Sequence, residues 1–210
     1  MGWIAPKIWP GRTAYILGGG PSLNDVDLNL LKGKKMIGVN NSSFLLPEIN
    51  VCYFGDYKWV MRYRERLERF GGLILTSCYE KWFKRDSWLA GHVKKLTRGK
   101  PKGIEIEPGV IAWNKCSGLS AINLAHHFGC SKVVLLGFDM RVVGGKKNFH
   151  DEYIGWENTP HDIYEKYLQC IPYIARDAEK IGLEIYNATP DSAITEFKQI
   201  TIEETVSWQN

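Results

Sequence analysis

Two short stretches of this sequence are suited to meeting an anion with backbone N–H groups. Gly18-Gly19-Gly20-Pro21-Ser22 begins with three residues that carry no side chain, so a ligand can approach the backbone closely, and Ser22 adds a hydroxyl donor. Cys116-Ser117-Gly118-Leu119-Ser120 places small residues where a helix start would leave its first N–H groups free and positively polarised. Both suit a phosphate or a carboxylate. Both are equally the composition of a plain strand-to-helix turn or of a capped, closely packed helix. The first matches neither the G-x-G-x-x-G dinucleotide fingerprint nor a Walker A sequence, which needs Lys-Ser/Thr after its last Gly.

Other residues can titrate or coordinate. Asp56 and Asp139 each follow a short apolar run and can hold ribose hydroxyls, a substrate amine or a divalent ion such as Mg²⁺. Neither belongs to a D-x-D pair, and helix capping is the competing role. His150 lies in Asn148-Phe149-His150-Asp151-Glu152-Tyr153, and its ordinary pKa of about 6.5 suits proton transfer near neutrality, with Asp151 or Glu152 to orient it. Surface solvation is its alternative. His161 is a second candidate, while His92, His126 and His127 read as structural.

The elements that must position these groups follow from hydrophobic patterning. Short, continuously apolar runs at 13–17, 35–39, 51–54, 73–76, 132–136 and 183–187 read as strands covered on both faces. Between them, 57–70, 117–128 and 161–181 read as helices, with Gly129 and Gly182 as stops and Pro172 as a kink in the last. Residues 24–32 read as a short helix or turn capped by Asn24 or Asp25. The pattern predicts an α/β domain spanning 1–210: a Rossmann-like, mainly parallel sheet with helices on both faces and a basic insertion over about 79–112 that adds one or two strands. In such sheets ligands bind beyond the carboxyl ends of the strands. Five of those ends carry small or polar groups: Gly18-Gly19-Gly20, Asn40-Asn41, Gly55-Asp56, Gly137-Phe138-Asp139 and Asn187-Ala188-Thr189. Their convergence predicts a cleft.

Composition narrows the class. The chain has 210 residues, 44% hydrophobic and 24% charged, which excludes disordered, collagenous and coiled-coil proteins. No apolar run is long enough for a membrane span, and the first ten residues hold no signal-like core. Five scattered cysteines without C-x-x-C spacing are expected to be reduced, mostly buried thiols in a cytoplasmic protein. The net charge of +4 conceals an asymmetry: Lys81 to Lys102 holds +7, leaving −3 elsewhere. With Trp82 and Trp88, that segment can hold a nucleic-acid backbone or be a solvated insertion anchored by its tryptophans; no helix-turn-helix, zinc or RNA-binding fingerprint accompanies it.

Gly20-Pro21-Ser22-Leu23 after the first strand, Asn40 after the second, Ser117-Gly118 opening a helix and Gly137-Phe138-Asp139 after a strand resemble a group of nucleotide-using enzymes. The group comprises the family 42 glycosyltransferases (bacterial sialyltransferases using CMP-sialic acid), the MptE-like domain named for 6-hydroxymethylpterin pyrophosphokinase, and related phage and bacterial proteins. Asn187-Ala-Thr-Pro-Asp-Ser-Ala193 is similar to the tail of the MptE-like and phage members. The resemblance spans roughly 13–197 and implies that Ser22, Asn40, Ser117 and Gly118 line a nucleotide pocket, with Asp139 near the donor. The chain departs from the sialyltransferase pattern at Gly19 and Asp56, where those enzymes have Asn, and at Met140-Arg141, where they have a Tyr near the donor phosphate.

The reading that combines these signals is a nucleotide-dependent transferase, foremost a glycosyltransferase with a CMP-type nucleotide-sugar donor. Gly18, Gly19, Gly20, Pro21, Ser22, Ser117 and Gly118 would hold phosphate, Asn40 and Asp56 base or ribose, and Asp139 and Arg141 would flank the reacting end. His150 would be the general base on an acceptor hydroxyl of a glycan or other polyanion. The alternatives are Mg²⁺-dependent pyrophosphoryl transfer through Asp56 and Asp139, and a phage-type accessory protein that binds nucleic acid through Lys81–Lys102.

Overall fold

The computed structural model describes residues 2–153 and 162–208. Its centre is β1 (Thr13–Leu17), every residue of which is buried. Alternate side chains of this strand serve opposite faces: Ala14 and Ile16 join one apolar cluster, Tyr15 and Leu17 another. This is why the run is apolar throughout instead of alternating with polar residues.

The remaining strands of the sheet are β2 (Lys35–Val39), β3 (Val51–Phe54), β4 (Leu73–Thr76), β5 (Lys94–Lys95), β8 (Lys132–Leu136), β9 (Glu184–Asn187) and β10 (Lys198–Gln199). They form one sheet in the order β10-β9-β8-β1-β2-β3-β4-β5, with every pairing parallel. The chain moves outward from β1 to β5 on one side, then returns to lay β8 against the other side of β1. The topological switch point therefore lies between β1 and β8. A second, two-stranded sheet pairs β6 (Thr97–Arg98) with β7 (Val110–Ile111).

Helices cover both faces. The cluster containing Ile16 packs α4 (Ser117–His127) and α6 (Ile171–Ile181) against one of them. The other is covered by α1 (Tyr57–Glu68), α3 (Ser87–His92) and 3₁₀ turns at Pro21–Asp25 and Leu28–Leu31. The basic segment is thus woven into the fold: α2 (Glu80–Arg85), α3 and β5 extend the sheet edge.

Three local expectations are corrected. The helix expected over 161–181 is two helices, α5 (Ile163–Leu168) and α6. Pro172 sits in the first turn of α6, where its missing N–H has no partner to lose. The turn at 24–32 is capped by Asp27, whose carboxylate accepts from Asn29 N, while Asn24 Nδ2 instead donates to Phe149 O at 3.1 Å. Gly129 and Gly182 do end their helices, with φ of +85° and +69°. His161 lies outside the described residues, among which no helix is long and apolar enough to cross a membrane.

Candidate active site

The turns at the carboxyl ends of β1, β2, β3 and β8 and the start of α4 enclose one cavity of about 1020 Å³. Nine residues selected from the sequence line it: Gly18, Gly19, Gly20, Asn40, Asp56, Ser117, Gly118, Asp139 and His150. Pro21, Ser22 and Arg141 do not. The fifth expected strand end acts as a brace: Asn187 Oδ1 accepts from Thr189 N, and Thr189 Oγ1 accepts from Phe138 N at 2.9 Å.

The glycine turn is shaped first by packing. Gly20 has an ordinary extended backbone (φ −73°), so a left-handed conformation is not its reason. A Cβ there would collide with the Asp139 carboxylate, and one on Gly18 would lie 2.6 Å from Gly137 O. Only Gly19 faces open space, its nearest neighbour being Asn148 Oδ1 at 3.5 Å. The turn is then zipped to the β8 turn. Gly20 N donates to Gly137 O at 2.8 Å, and Ser22 donates to both Asp139 oxygens, from N at 3.2 Å and from Oγ at 2.8 Å. Asp139 is 2% exposed, and Ser22 supplies the donors a buried carboxylate needs. The Ser22 hydroxyl is therefore committed to Asp139.

Asp56 caps α1 through Oδ1, accepting from Lys58 N at 2.8 Å, and is among the residues that line the cleft. Asp139 has both oxygens engaged, so the pair fits a divalent ion poorly. Among the described residues no three His, Cys, Asp or Glu side chains gather into a metal site. Arg141 turns outward: its Nε donates to Asp191 O at 2.7 Å. Asn40 has a left-handed backbone (φ +55°), and its buried Oδ1 has no hydrogen-bond partner among the described residues. Its neighbour Asn41 forms the local network instead, accepting from Trp59 Nε1 at 2.7 Å and donating to Glu152 Oε2 at 3.0 Å.

His150 packs edge-on against Phe149 and Tyr153, with ring centroids 4.7 and 4.4 Å away. Burial lowers its pKa, outweighing the raising effect of Glu152 and Asp151. Its Nδ1 accepts from Glu152 N at 3.1 Å. In the neutral ring this bond places the proton on Nε2, so His150 offers the cleft a donor. Base action at Nε2 requires the other tautomer, which the Glu152 bond opposes. Cys116 also lines the cleft, but burial pushes its thiol up to about 11, which keeps it protonated and unreactive at neutral pH.

Sequence reasoning missed half of the wall. Arg98, from the basic segment, enters the cleft between the rings of Tyr79 and Trp113, 4.4 and 5.8 Å from their centroids. Its Nε donates to Ser77 O and its Nη2 to Gly55 O at 2.8 Å. Tyr57 and Trp82 stack nearly parallel at 5.1 Å on the same wall. Lys115 stands just before α4 with a left-handed backbone (φ +56°), following Asn114 (φ +45°). Asn114 is fully buried and bonded twice to Gly103, by Oδ1 from its N–H at 2.9 Å and by Nδ2 to its carbonyl at 3.0 Å. The only available sequence signal was the basic, Trp-containing segment itself. Which of its cations would turn inward depends on pairings distant in the chain.

The cleft therefore carries Lys58, Arg98, Lys115 and Lys147 against the carboxylates of Asp56 and Asp139. Cations outnumber acids, and aromatic planes lie beside them, which favours an anionic ligand with a flat or ring-shaped part. Outside the cleft the basic segment is partly neutralised: Glu80 pairs with Lys84 and Lys95, and Asp177 with Lys100. No protein-family model, curated protein or solved structure matches the chain, so this geometry is what bears on its chemistry.

Proposed function

We propose that the chain is a nucleotide-dependent transferase, foremost a glycosyltransferase, whose strand-end cleft binds a nucleotide-linked donor. The observation that carries this reading is the combination, in one cavity at the switch point of a parallel sheet, of excess cationic side chains, a helix start and stacked aromatic rings. A nucleotide sugar presents a flat base, hydroxyls and phosphate, which are the groups such walls receive. The volume lies at the upper end for a single small ligand, leaving room for part of an acceptor. In this reading Ser117, Gly118 and Arg98 face the anion, and Asp56 accepts from ribose or base. His150 donates a hydrogen bond to the leaving group or acceptor through Nε2, and base action there requires the tautomer that the Glu152 bond opposes.

The test is a titration of the whole chain with CMP, UMP, ADP and GDP, followed by release of nucleotide from the matching sugar donors. Saturable binding of at least one nucleotide, with donor turnover, is expected; no binding by any of the four would overturn the reading. Activity abolished by EDTA would instead favour Mg²⁺-dependent pyrophosphoryl transfer through Asp56. Steeply salt-dependent binding of single-stranded nucleic acid, lost when Lys81 and Arg85 are neutralised, would favour the accessory-protein reading.

A further inference from the structure

Resting on the nucleotide reading, we infer that the ligand's phosphate binds on the far side of the cleft from the glycine turn, in a cradle over Gly55 formed by Arg98, Ser117 and Lys115. The glycine turn has little left to offer an anion. Gly18 N donates to Leu136 O, Gly20 N to Gly137 O, Pro21 has no N–H, and Ser22 spends both its donors on Asp139, which leaves the turn the N–H of Gly19 alone. The charge nearest that turn is the Asp139 carboxylate, which repels phosphate.

The opposite wall has the reverse character. Arg98 is clamped between two rings and two backbone carbonyls, so its plane is fixed before a ligand arrives. Those two bonds use two of its five N–H groups, and no carboxylate pairs with it among the described residues. Gly55 leaves the space beneath it empty. A Cβ placed there would stand 3.0 Å from Ser117 Oγ, 3.6 Å from Arg98 Nη2 and 3.8 Å from Ser77 Oγ. Polar groups from the turn after β4, from β6 and from α4 thus converge on a point that any other residue at position 55 would fill, the Ser77 hydroxyl being bonded also to Tyr53 Oη at 2.7 Å. Lys115, one residue before the α4 cap, lines the same cavity. A guanidinium and a hydroxyl around an unfilled point, with an ammonium in the same cavity, are chemistry for a phosphate or diphosphate.

The experiment compares affinities of the full chain for a nucleotide, the corresponding nucleoside and inorganic pyrophosphate by calorimetric titration. Arg98→Gln and Gly55→Ala are expected to weaken nucleotide and pyrophosphate at least tenfold while changing nucleoside affinity less than twofold. Lys115→Gln, which breaks none of the bonds described, is expected to weaken the same two ligands severalfold and stands in if the other variants fold poorly. Arg141→Gln is expected to leave all three affinities unchanged. If the wild type binds nucleotide and these cleft variants bind it as well as the wild type does, the cradle is overturned and the nucleotide reading survives. If the wild type binds neither nucleotide nor pyrophosphate, both fall together.

Discussion

Single residues decide whether the cleft keeps its shape. Gly20→Ala would drive a methyl group into the Asp139 carboxylate, and overpacking of this kind costs about 1–3 kcal/mol or more. Gly19→Ala, one residue earlier, meets only the end of Asn148 and should stay within about 0.5 kcal/mol of wild type. Denaturant unfolding of the two variants checks the contrast; equal losses would show that the run acts as a unit. Ser22→Ala removes the only side-chain donor to the buried Asp139 carboxylate among the described residues. We expect a loss of about 1–3 kcal/mol, with Ser22→Thr, which restores the hydroxyl, recovering most of it. The same residues show what the sequence could not disclose. A glycine run before Pro-Ser reads as a phosphate cradle because bare backbone is what such a cradle needs. It also reads as a tight packing site, and only the β8 turn, more than a hundred residues away, decides between them.

At the level of elements, the six principal strands were legible because each is a short apolar run ending in small or polar residues, and the two-sided covering of the sheet leaves no alternation to confuse them. The basic insertion, expected to add one or two strands, adds three, the two-residue β5, β6 and β7; their positions were not legible because a pair of residues carries no periodicity and their pairing is set by neighbours. Arg98 was hidden for that reason, being one cation among eight until β6 places it beside Gly55. The loop between β6 and α4 is held from α4 by Asn123. Its Oδ1 accepts from Glu105 N and Ala112 N, both at 2.8 Å, and its Nδ2 donates to Glu105 O at 2.9 Å. Asn123→Ala leaves two backbone donors and one acceptor unpaired beside a buried helix. It should cost about 3 kcal/mol and weaken nucleotide binding by loosening the approach to Trp113 and Lys115. Thermal unfolding alongside the titration tests this; full stability with unchanged affinity would refute it.

For the whole molecule, pH is the most direct probe. Burial lowers the pKa of His126, His127 and His150 below the ordinary value of about 6.5. The unfolded chain then takes up protons at these sites before the folded one does. Their neutral forms stabilise the fold fully above about pH 6.5, and that contribution is lost as pH falls below it. Asp27, Glu80, Asp162, Asp177 and Glu184 have lowered values, so their contribution persists until a second, more acid window. A melting temperature flat from pH 7 to 8, falling between 6.5 and 5, and falling again below about 4 is expected. His127→Gln should reduce the slope of the first fall; an unchanged slope would remove His127 from the account. The zip between the β1 and β8 turns also carries a consequence for biosynthesis. Ser22 and Asp139 are separated by 117 positions, and at about 5–20 residues per second the ribosome needs roughly 6–23 s to join them. For that interval β1 is an exposed, wholly apolar margin with a free row of hydrogen-bonding groups. A nascent chain halted before residue 132 should therefore be a client of chaperones and scatter light when released alone, while one extended past residue 199, in which β8 covers β1 and β9 and β10 cover β8, should not.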